Sequence, residues 1–66
     1  MIDAIAFFRA AKLVIGRHGE EAAIYAAART AVLASEGDIE GAAVWRQITA
    51  AVEELQRERR ADETLN

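Results

Sequence analysis

Apolar positions recur along this chain with a helical period, and no segment alternates with the period of two that marks a strand. The pattern is cleanest in the second half. Val44, Ile48, Ala51, Val52 and Leu55 follow one another at steps of three and four residues, with Gly41 and Trp45 flanking the same stripe. Glu40, Arg46, Glu53, Glu54, Arg57 and Arg60 fall on the other side, so the spacing predicts an amphipathic helix from about Ile39 to Arg59. Just upstream, Ser35-Glu36-Gly37-Asp38 reads as a helix end followed by a sharp turn. Gly37 suits the left-handed conformation that closes a helix, and Asp38 can accept hydrogen bonds from the free N–H groups of the turn that follows. The seam on either side of this turn is the expected core.

The first half predicts two more helices. One runs from about Ile2 or Asp3 to about Arg17 and is apolar on two sides. Ala4, Phe7, Ala11 and Val14 share a face, widened by Phe8 and Ile15, whereas Ile2, Ala6 and Leu13 lie on another. Two apolar faces need two partners. Gly19 is a better stop than Gly16, because Glu20 and Glu21 then occupy the favourable first turn of the next helix. That helix, about Glu20 to Glu36, is rich in alanine, with Ile24, Tyr25, Val32 and Leu33 as its large apolar groups. Small side chains let neighbouring backbones approach on several sides, so this second helix is expected to be the central one.

Length changes the picture. At 66 residues the chain forms one small domain, a size at which apolar burial and the entropy of ordering nearly cancel. With no Cys and one His, disulfides and metal are poor sources of extra stability, which leaves self-association alongside an efficient helical core. The absence of Cys fits a reducing, cytoplasmic setting. Asp3, Arg9 and Lys12 interrupt the apolar opening, so neither a signal peptide nor a membrane span is expected. A net charge of −3 argues against a general affinity for nucleic acid or anionic membrane. The basic run Arg57, Arg59, Arg60 is read as a solvated helix end at the negative pole of the dipole.

Candidate chemistry is sparse. His18 has Glu20 and Glu21 nearby, but a metal wants three or four protein ligands, and an isolated His in a turn reads as a solvated polar group. Thr30 and Ser35 lack a base that could activate them. Gly16, Gly19, Gly37 and Gly41 do not form a phosphate loop, since no Gly-Lys-Ser/Thr follows them. No catalytic residue, cofactor site or metal site is therefore assigned. Trp45, at the edge of the third helix's stripe, is read as a core residue first and as an interface anchor second.

Three resemblances add to this. Phe8-Arg9-Ala10-Ala11, Arg17-His18-Gly19-Glu20, Gly37-Asp38, Gly41 through Ile48 and the ending Glu63-Thr64-Leu65-Asn66 together resemble a group of short bacterial helical proteins of unknown function. Ala10 through Ala22 resembles the first helix and turn of TetR-type repressors, but the match fails where DNA would be read: the alanine helix continues to Gly37, and the next begins Asp38-Ile39-Glu40. Leu33 through Trp45 is similar to the junction between tetratricopeptide helices, which implies that helices two and three pack antiparallel.

The expectation is an all-α, three-helix bundle over residues 1–60 with a frayed tail at 61–66. It should act as a non-enzymatic interaction or structural module, as a homodimer or with a protein partner. The expected interface is Ile2, Ala6, Leu13 and Trp45. The alternative is a small transcriptional regulator built on a helix-turn-helix derivative, which should place Arg57, Arg59 and Arg60 on one face with Arg9, Lys12 or Arg17.

Overall fold

The computed structural model describes the backbone of residues 4–65 and the side-chain surroundings of residues 4–59. Within them the chain is all-helical, with no strand. Helix α1 spans Ala4–His18, a 3-10 turn spans Gly19–Glu21, α2 spans Ala22–Ser35 and α3 spans Ile39–Leu65. Ile2 and Asp3 lie outside the described residues, as do the side chains of Arg60 and of the tail. Glu20 and Glu21 sit in the 3-10 turn and not in the first turn of α2, which begins only at Ala22. The backbone of α3 continues past the expected end at Arg59 to Leu65.

Local chemistry fixes both corners. Gly19 has φ +59 and Gly37 φ +82, so each takes the left-handed conformation that a side chain would resist. At the second corner the Asp38 N–H donates to the Leu33 carbonyl at 2.9 Å and the Gly37 N–H to Ala34 at 3.1 Å, the paired bonds that close a helix around a glycine. Asp38 then opens α3, its Oδ1 accepting from the Gly41 N–H at 2.9 Å. A Cβ at Gly41 would collide with that carboxylate. Asp38→Ala should therefore cost about 1 kcal/mol. Gly41→Ala should be near neutral in the wild type, because gained helix propensity offsets a displaced cap, yet stabilise an Asp38→Ala background by about 1 kcal/mol. Urea denaturation of the double-mutant cycle checks this; simple additivity would rule out the steric coupling.

The third helix, not the second, is the spine. Both α1 and α2 pack on α3, whereas α1 and α2 meet far less extensively. Three connecting residues fold α2 back on α3, and the Gln56 side chain donates from Nε2 to the Gly19 carbonyl at 3.0 Å, pinning the start of α2 beside the far end of α3. The two are therefore antiparallel. Helix α1 runs parallel to the second half of α3: Phe7 and Phe8 border Gln47, Ala51 and Glu54, and Lys12 and Ile15 border Leu55 and Arg59.

The core is Ala11 and Val14 of α1, Ala22 of α2, and Ile48, Ala51 and Val52 of α3. Phe7, Phe8, Ile15, Val44, Trp45 and Leu55 pack against it half-buried, as their stripes require, while Ala4 is exposed at the end of its face. Ala26 and Ala42 are also buried. The alanines of α2 thus do allow close approach, but on one side only.

Candidate interaction surface

Three aromatic rings, one from each helix, form a ladder across the bundle. His18 at the end of α1 stacks on Tyr25 of α2 with ring centroids 4.0 Å apart and planes inclined by 17°. Tyr25 in turn meets Trp45 of α3 edge-on, at 6.0 Å and 74°. His18 is half-buried, so the expectation of a solvated turn residue is corrected: its ring is held by stacking. Trp45 is half-buried between the core and Tyr25, which places most of its ring inside the protein.

Polar groups are committed to the backbone. The hydroxyls of Thr30 and Thr49 donate to the carbonyls of Ala26 and Trp45, and that of Ser35 donates to Val32. No grouping of three His, Cys, Asp or Glu side chains suited to a metal occurs among the described residues. No described helix is long and apolar enough to cross a membrane. A cleft of about 510 Å³ lies where α1 and the 3-10 turn meet α3, floored by Ile15 and Leu55 and rimmed by Lys12, Glu20, Gln56 and Arg59. It brings two cations, Lys12 and Arg59, onto one rim with Glu20, and no Ser, Thr, Cys or His is among its described lining residues.

What distinguishes the surface is apolar. Ile5, Leu13, Ile24, Tyr25, Val32 and Ile39 are all exposed, Leu13 at 70% and Ile24 at 71%. Of the expected interface, Leu13 and Ala6 share the exposed side of α1, Trp45 belongs to the aromatic ladder, and Ile2 is not described. Leu13 does not stand on an open apolar face: Arg9 and Arg17, both exposed, flank it at helical spacing. The outer side of α2 is different, with Ile24, Ala27, Ala28, Ala31 and Val32 exposed together. Sequence reasoning passed over that side because it assigned α2 to the centre of the bundle.

Fold and surface together define a small all-helical protein with an apolar exterior on one helix. The chain belongs to the family of unknown function DUF6961, whose model matches residues 7–60. Neither the curated proteins nor the solved structures contain a match to it.

Proposed function

We propose that this protein is a non-catalytic helical interaction or structural module that works as a homodimer. The observation that supports it most is the outer side of α2, where Ile24 and Val32 are left in water beside exposed alanines. A single exposed aliphatic side chain is ordinary, but several at helical spacing on one side of a helix make a surface that gains from being covered. Size supports the same reading, since a domain of this length has little stability to spare without intermolecular burial.

Sedimentation equilibrium over a concentration series tests the proposal. A mass of twice the chain through the micromolar range is expected. A protein that sediments as a single chain up to high micromolar concentration would overturn it.

A further inference from the structure

We propose that the cleft between α1 and the second half of α3 binds a small amphipathic carboxylate, its aliphatic chain on Ile15 and Leu55 and its charged end at Lys12. The cleft volume of about 510 Å³ lies within the range of small-molecule sites, roughly 300 to 1,000 Å³. Such sites join an apolar lining to a few polar groups that orient the ligand. Both parts occur here.

The floor selects the body of the ligand. Ile15 and Leu55 pack against the core yet stay half-buried, and their remaining surface lines the cleft. No aromatic ring is among the described lining residues, so a flat ligand gains nothing from stacking and a flexible hydrocarbon chain suits the floor. In the wall, Gln56 Nε2 already donates to the Gly19 carbonyl at 3.0 Å, a bond that spends a backbone acceptor and an amide donor on each other.

The rim selects the charge. Lys12 reaches it from α1, Arg59 from α3 and Glu20 from the 3-10 turn, and all three are exposed. Two positive charges against one negative leave the described lining with an excess of one, which a monoanion balances and a cation would worsen. The whole chain carries −3, so this local excess runs against the overall charge.

Octanoate below its micelle concentration is the probe, followed through the amide chemical shifts of the full-length protein. Saturable shifts centred on Ile15, Gly19, Gln56 and Arg59 are expected, with a Kd of about 1 mM or tighter. Octylammonium, of equal chain length and opposite charge, should bind about ten-fold more weakly. Lys12 is exposed, so Lys12→Glu should keep its helical circular dichroism while octanoate affinity falls by about ten-fold. Equal binding of the two probes, or an unchanged affinity in Lys12→Glu, would overturn the assignment of a carboxylate. Shifts that gather on Ile24 and Val32 of α2, or that never saturate, would overturn the cleft as the site. Sedimentation of the same samples reads self-association separately, so either result leaves the dimer to its own test.

Discussion

Ile48→Ala should lower the stability of this domain by about 2 to 5 kcal/mol, the range for truncating a buried aliphatic side chain. Ile48 is 6% exposed, stands in the middle of α3, and belongs to the cluster formed by Val14 and Ala11 of α1 and Ala22 of α2. Its loss opens a cavity that all three helices share. A chain of 66 residues holds only about 3 to 10 kcal/mol in all, so the variant should be largely unfolded near physiological temperature. Leu55→Ala should cost less than Ile48→Ala, because Leu55 is half-buried in the floor of the cleft beside α1. Thermal melts of the two variants, followed at 222 nm, check the order, with each kcal/mol worth about 4 to 8 °C in a domain of this size. Equal losses would mean that Leu55 bears more of the core than its exposure indicates.

Enlarging the alanine seam should be nearly as damaging. Ala26 is 0% exposed and Ala42 is 3% exposed, so Ala26→Leu or Ala42→Leu inserts extra methylenes where no space is left, at about 1 to 3 kcal/mol each. Ala43 is the natural control. It adjoins Ala42 in sequence but is exposed, and Ala43→Leu should change stability by no more than about 0.5 kcal/mol. Denaturant midpoints for the three variants decide the matter: a tolerated Ala26→Leu would show that α2 and α3 are held apart by their larger neighbours and not by these methyl groups.

These two predictions rest on parts of the fold that differ in how openly the sequence displays them. The stripe of α3 is legible because Val44, Ile48, Val52 and Leu55 are large, evenly spaced and opposed by charge. The corner at Gly37-Asp38 is legible because left-handed backbone and an N-terminal carboxylate each have a strong residue preference. The role of α2 is not. An alanine presents the same methyl group whether it is pressed against a neighbour or facing water, so a helix of alanines has no visible inside. The third helix receives both α1 and α2 instead, over overlapping stretches of its length. The aromatic ladder was hidden for another reason. His18 and Tyr25 lie on either side of Gly19, and helical spacing says nothing across a corner where the backbone changes direction. No motif marked out the exposed apolar side of α2. It became visible only when the spine was known and the outer side of α2 was left uncovered.

That the spine is the third of the three helices also bears on how the chain is made. Synthesis is vectorial and domains generally fold as units, so α1 and α2 leave the ribosome before the element on which both pack. Neither has much to hold in the other, since they meet little even in the finished protein. The Gln56 contact to the Gly19 carbonyl joins positions 37 residues apart, and it must wait until α3 is translated well beyond its first turns. The alanine helix consequently spends the seconds of elongation with both of its apolar sides uncovered. Once α3 emerges, three turn residues bring it onto α2 at small entropic cost, and α1 follows by closing a much longer loop. The nascent protein is most exposed to premature association through α2 during that interval, before the buried side of α2 has been claimed by its own chain.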